Sequence, residues 1–178
     1  MKTATTLKQI LLDETETVYD ATEKLFRKVS DSELSWKPAT GTNWMTMGQL
    51  LMHCASYGCG KAVEGFVTGT WDFSEEESSD GNAVDHFPPA EAMPRVESVE
   101  QALNLLAADR KLSLRCLADV KETDLMAKLL AAPWGGPEQT LFRHLSFMID
   151  HLIQHKGQLF YYLKLMGKDV NTIDLWGT

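Results

Sequence analysis

Hydrophobic residues recur every three or four positions in four separate segments of the chain. This spacing places the apolar side chains along one face of an α-helix, whose period is 3.6 residues. No segment shows the strict apolar-polar alternation that is typical of a half-buried strand. The pattern therefore predicts helices over residues 5–29, 46–66, 98–119 and 138–166. Four such helices indicate an all-α four-helix bundle.

Local signals mark the start of two of these helices. Thr46 and Gln49 have the spacing of a capping box, in which each side chain bonds the other residue's backbone N–H. Ser98 and Gln101 repeat the signal before the third helix. Gly167 follows the fourth helix, where glycine readily takes the left-handed conformation of a helix end.

Residues 68–97 separate the second and third helices and show no periodicity. They include the acidic run Glu75–Glu77 and the pair Pro88–Pro89. Unstructured connections of this length are uncommon in compact domains and are often functional or mobile. We expect a long loop here, either a solvated crossover or a lid over a site.

The fourth predicted helix is apolar nearly all round its circumference. A helix of this kind is covered by protein on more than one side. It lies either at the centre of the bundle or at a subunit interface.

Composition restricts the classes of partner. The 178 residues suit a single domain, 1–178, and the 17 basic residues against 25 acidic ones give a net charge of −8. A nucleic-acid binder needs surplus cations to displace counterions, and an anionic membrane surface repels such a chain. We therefore expect no nucleic acid and no membrane as partners.

The cysteines and the chain's start bear on location. Cys54, Cys59 and Cys116 are an odd number, which predicts no disulfide framework and fits the reducing cytoplasm. We expect Cys54 and Cys59 to be small core residues. Residues 1–12 lack the long apolar run of a signal peptide, and about 18 consecutive apolar residues, as a membrane span needs, occur nowhere.

Three histidines form the candidate site. His151 and His155 are four residues apart, so they lie one above the other on the same face of the fourth helix. This helix is the most apolar of the chain, so burying the imidazoles of His151 and His155 there would be costly unless each found a partner. His53 lies in a similarly apolar part of the second helix. A shared metal ion would satisfy all three; alternatively, each is a hydrogen-bonded core histidine. His144 lies about 10 Å from His151 along the helix, too far to share the ion, and His86 is expected in solvent.

Several further residues could hold the histidine ligands in their orientation. They lie on the same helix faces as the histidines and could orient ligands or substrate, or could equally be ordinary polar positions: Gln49, Tyr57, Gly60, Glu64, Gln158 and Tyr162. We expect Gly60 to leave space beside the ion. The residue after His151 is leucine rather than the glutamate of a zincin, and the chain contains no Glu-x-x-His motif of a di-iron site.

The chain resembles the DinB-like (YfiT-like) family in two segments. The first is Trp36-Lys37-Pro38 followed by the helix that leads to His53. The second is His151-Leu-Ile-Gln-His155 followed by Lys156-Gly157-Gln158 and ending at Gly167, although the family often has arginine where Lys156 stands. The resemblance covers most of the chain outside residues 68–97.

The resemblance implies a four-helix bundle, commonly a homodimer, with one divalent ion held by His53, His151 and His155. It also implies a small-molecule substrate, since members with known chemistry include thiol-cofactor S-transferases and a thiol-dependent maleylpyruvate isomerase. Three neutral imidazoles leave an open position on the ion, where a low-molecular-weight thiol or water would become a nucleophile. Nickel or zinc is the expected metal. The alternative is a non-catalytic metal-binding protein of the stress response or of protein interaction.

Overall fold

The computed structural model of the chain describes residues 5–56, 59–71 and 89–177. They form an all-α helical bundle, as predicted. The helices are α1 (Leu7–Phe26), α2 (Met47–Ser56), α3 (Gly60–Thr68), α4 (Val99–Asp119), α5 (Glu122–Ala127), α6 (Leu141–Leu165) and α7 (Thr172–Trp176). Two short strands, β1 (Leu129–Leu130) and β2 (Gln139–Thr140), form an antiparallel pair before α6.

The four predicted segments enclose one hydrophobic core. α4 and α6 each pack against α1 on one side and against α2 and α3 on the other. Leu25, Leu50, Leu145 and Leu159 are fully buried between these helices. α6 contacts helices on two sides and therefore lies centrally in the bundle. This position explains why apolar residues occur nearly all round its circumference. None of the described helices is long and apolar enough to cross a membrane.

The second predicted helix, 46–66, is divided into α2 and α3. Its start was predicted correctly, since the Thr46 backbone N–H donates to Gln49 Oε1 (2.8 Å) and the Gln49 N–H donates to Thr46 Oγ1 (3.3 Å). α2 ends at Ser56, however, and α3 begins afresh at Gly60. The interruption places His53 in the last turn of α2.

A buried carboxylate on α4 explains why α3 starts where it does. Asp109 is only 8% exposed, and its Oδ1 accepts the Gly60 backbone N–H at 2.9 Å. Its Oδ2 accepts the hydroxyl of Tyr19 at 2.6 Å, and that hydroxyl lies 3.1 Å from Ser113 Oγ. The carboxylate therefore satisfies an N–H at the start of α3, which has no partner within its own helix.

Titration of Asp109 should be visible in stability. Burial raises the pKa of its carboxyl from 3.8 to about 6, although the hydrogen bonds from Tyr19 and Gly60 act in the opposite direction. The folded protein therefore holds this proton more tightly than the unfolded chain does, so the contribution is present at low pH and is lost as pH rises through about 6. We expect the free energy of unfolding of wild type, relative to that of Asp109→Asn, to increase by about 1.4 kcal/mol when the pH is lowered from 7 to 5. One extra proton bound by the folded protein changes this free energy by that amount per pH unit. Urea unfolding of both proteins at the two pH values measures the difference, and a constant difference would contradict the assignment.

Part of the segment predicted as a long loop is held against α2. Gln49 donates from Nε2 to the carbonyl oxygens of Glu91 (3.1 Å) and Met93 (2.7 Å). Val96 is buried and donates its backbone N–H to Gly48 O at 3.1 Å. The end of the 68–97 segment is thus part of the folded body, while residues 72–88 lie outside the described residues.

Candidate metal centre

Two helices from opposite ends of the chain supply the three histidines. His53 lies in the last turn of α2, and His151 and His155 lie one turn apart in the middle of α6. α2 packs directly against α6. The contact brings together side chains that are about a hundred positions apart in sequence.

The three imidazoles converge through one ring nitrogen each. His155 Nε2 is 3.0 Å from His53 Nε2 and 3.0 Å from His151 Nε2. One nitrogen of each ring lies within 4.8 Å of the others, and all three side chains are partly buried. The rings meet at steep angles, between 63° and 77°. The histidines that the sequence singled out therefore form one cluster that could hold a metal ion.

The donor separations fit a first-row transition metal. An ion with nitrogen ligands at about 2.05 Å separates two donors by about 2.9 Å at right angles and by about 3.4 Å at tetrahedral angles. The observed 3.0 Å lies within this interval. It is also the length of an ordinary hydrogen bond between two imidazoles, so the metal-free rings can occupy the same positions.

The surroundings favour the neutral forms of His53 and His155. Burial is the main cause that lowers the pKa of His53 from 6.5 to about 3, and the neighbouring His155 and His151 lower it further. Burial also lowers the pKa of His155. Neutral rings retain the lone pairs that a metal ion requires, so protons compete poorly for these nitrogens at neutral pH.

Two residues further along α6 take different roles. Gln158 contacts the cluster directly, because its Oε1 lies 2.8 Å from His155 Nδ1. The Tyr162 hydroxyl instead donates to Met45 O at 3.0 Å, and its ring packs edge-to-face on Trp36. Of the two, only Gln158 orients a histidine of the cluster.

The predicted supporting residues on the second helix have other partners. Gln49 holds the segment after residue 89, and Glu64 pairs with Arg115 at 3.1 Å. The expectation that Gly60 leaves space beside an ion was wrong: the space in front of its Cα is filled by Asp109, whose Oδ1 would lie 2.4 Å from an added Cβ. Tyr57 and His86 lie outside the described residues.

The other predictions about single residues can also be compared with the structure. His144 lies near the start of α6, where it is buried, stacks on Phe66 and contacts Leu130 O through Nε2 at 2.8 Å. That bond ties α6 to strand β1 and keeps His144 apart from the cluster. Cys54 and Cys59 are buried free thiols in the core, as predicted.

Asp109 is the residue that the sequence analysis missed. The buried positions of α4 follow a helical stripe, namely Ala102, Leu106, Asp109, Ser113, Cys116 and Leu117. A charged residue on this stripe was the available signal. Asp109 is a buried hydrogen-bonding group rather than a metal ligand, since the candidate metal site found among the described residues consists of histidines alone.

Comparisons with known proteins agree with the fold. The family model of the DinB superfamily matches residues 14–159. The crystal structure of a DinB-like protein from Bacillus cereus is similar, with a TM-score of 0.65 and 17% identity, covering 95% of this chain and 98% of that one. A DinB-like protein from Bacillus subtilis has a TM-score of 0.64 and 17% identity, covering 90% and 94%. No curated protein sequence matches. Since the family model covers most of the chain, including all three histidines, this protein belongs to the DinB superfamily.

Proposed function

We propose that this protein binds one divalent metal ion through His53, His151 and His155 and uses it in a thiol-dependent S-transfer or a hydrolysis. The observation that carries the proposal is the convergence of three Nε2 atoms, with 3.0 Å between His155 and each neighbour. Three neutral ligands leave the ion its full charge and at least one open position, a pattern typical of catalytic rather than structural sites. When bound, the ion would supply Lewis acidity and lower the pKa of a thiol or a water molecule.

The role of the chain's own residues would be to bind the metal ion and to orient its ligands. Burial keeps His53 and His155 unprotonated at neutral pH, so each of these rings retains a lone pair that can bind a cation. The candidate group contains no carboxylate, so no general base is supplied by the ligand cluster itself. Imidazole donors suit nickel and zinc, which we propose as the metals, with a low-molecular-weight thiol as the co-substrate of a small electrophile.

A turnover assay on wild type and variant loaded with the same amount of metal tests the proposal. Protein freed of metal and then loaded with one equivalent of Zn²⁺ or Ni²⁺ is incubated with a panel of low-molecular-weight thiols and an electrophile, and with activated esters for hydrolysis. We expect metal-dependent turnover in wild type and a loss of at least about 100-fold in His155→Ala, because catalysis would need the intact ligand set.

The alternative is a non-catalytic role, in which the ion links α2 to α6 without an exchangeable position. It is favoured by the origin of the ligands, since His53 and His155 join two helices that are distant in sequence. Loaded protein without turnover across the panel, but with a large gain in thermal stability, would support this role and contradict the catalytic one. The homodimer stays a prediction from the sequence.

A further inference from the structure

His155 occupies the middle position in the histidine cluster. Its Nε2 faces both other rings, at 3.0 Å from His53 Nε2 and 3.0 Å from His151 Nε2. Its second ring nitrogen, Nδ1, lies 2.8 Å from Oε1 of Gln158, which is three residues further along α6. Both nitrogens of this ring are therefore engaged, one inside the cluster and one outside it.

The contact with Gln158 determines where the proton of the His155 ring lies. A neutral imidazole carries one N–H and one lone pair, and an amide oxygen can only accept a hydrogen bond. Nδ1 must then carry the proton and donate it to Gln158 Oε1, which leaves the lone pair on Nε2. This lone pair is directed at the point where the three Nε2 atoms meet.

We propose that Gln158 is a positioning residue that holds His155 in the tautomer that offers Nε2 to a cation. The inference rests on the proposed function and deepens it, because it identifies how the ligand set is prepared before an ion arrives. In the metal-free protein, His155 Nε2 can accept an N–H from only one neighbouring imidazole at a time. Entry of an ion then requires that neighbour to move its proton from Nε2 to Nδ1, while His155 already offers its Nε2 lone pair.

The location of Gln158 argues against a role in packing. Its side chain is exposed, while the core of α6 consists of residues such as Leu152 and Leu159. Gln154 is also an exposed glutamine on α6, four residues before Gln158 and therefore on the same side of the helix. It provides a matched control, because its substitution changes the same surface of the protein while leaving both partners of the His155–Gln158 contact in place.

The tautomer can be measured without any metal. We would record long-range ¹H–¹⁵N correlation spectra of metal-free protein labelled with ¹⁵N-histidine, for wild type, Gln158→Leu, Gln158→Glu and Gln154→Leu, with His155→Asn to assign the signals. We expect His155 protonated on Nδ1 in wild type, in Gln158→Glu and in Gln154→Leu, and a mixture of tautomers in Gln158→Leu. A wild-type His155 protonated on Nε2 would overturn the proposal.

Metal affinity provides the second measurement. Competition titrations with Zn²⁺ and Ni²⁺ should show binding about 10-fold weaker in Gln158→Leu, which is the usual effect of losing such a supporting hydrogen bond. Gln158→Glu should bind as tightly as wild type or more tightly, and Gln154→Leu as tightly. Equal affinities of the two leucine variants would overturn the proposal. If wild type bound neither ion, the proposed function would fail, while the metal-free spectra would still decide whether Gln158 sets the tautomer.

Discussion

The His53→Ala variant should lose metal binding by at least about 100-fold, because removal of the α2 ligand leaves only two donors on a single helix. Wild type with Zn²⁺ or Ni²⁺ at a hundred times the dissociation constant should gain about 2.7 kcal/mol of stability, since the ion binds the folded protein alone. In His53→Ala this gain should fall to about 0.4 kcal/mol or less at the same metal concentration, because that concentration no longer exceeds the dissociation constant. Elemental analysis after gel filtration and thermal unfolding with and without metal measure the two effects.

The control for His53→Ala is a substitution on the same helix. Ser56 lies three residues later and donates its hydroxyl to the Met52 sulfur at 3.3 Å rather than to the histidine cluster. Ser56→Ala should retain one equivalent of metal and the full increase in stability. If His53→Ala and Ser56→Ala bound metal equally well, the assignment of His53 as a ligand would be wrong, whatever the effect of the other histidines.

The Gly60→Ala variant should be less stable than wild type by roughly 3 kcal/mol. A Cβ at this position would lie 2.4 Å from Asp109 Oδ1 and 2.8 Å from the Asp109 backbone oxygen, so helix α3 and helix α4 would have to separate. Separation would also break the hydrogen bond from the Gly60 N–H to the buried carboxylate. The free energy of unfolding in urea measures the loss.

Gly157→Ala is the matched control for this substitution. Gly157 lies within α6, and, apart from its chain neighbours and the nearby backbone of α6 itself, no atom of the described residues lies within 4 Å of a Cβ built there. Alanine is more favourable than glycine inside a helix, so this variant should be as stable as wild type or more stable by up to about 1 kcal/mol. A Gly60→Ala protein within about 0.5 kcal/mol of wild type would show that Asp109 does not determine the start of α3.

Much of the helical scaffold was predictable because its signals are local. The periodic apolar residues of α1, α4 and α6 predicted those helices to within a few residues, and the Thr46–Gln49 capping box fixed the start of α2. Short elements were missed, namely α5, α7 and the β1–β2 pair. Helices and strands this short have too little periodicity to detect, and they form only because the bundle provides a surface to pack on.

The break between α2 and α3 shows where local signals end. Residues 46–66 carry an uninterrupted helical pattern, yet the helix stops after Ser56. The carboxylate that accepts the Gly60 N–H at the new helix start belongs to Asp109, which is 49 positions away in sequence and reaches Gly60 only in the folded bundle. The same contact explains why the prediction of space beside Gly60 was wrong. A glycine in a helix indicates that another group approaches closely, but the sequence does not indicate which group.

The sequence by itself determined the helical class, the pairing of His151 with His155 on one helix face, and His53 as their candidate companion, because periodicity and spacing are properties of a single helix. Only the tertiary structure decided that α2 packs on α6 closely enough to bring His53 Nε2 within 3.0 Å of His155 Nε2. It likewise assigned Gln49 to the segment after residue 89. Contacts between helices depend on how whole faces pack against each other, and that packing is decided by the entire core at once.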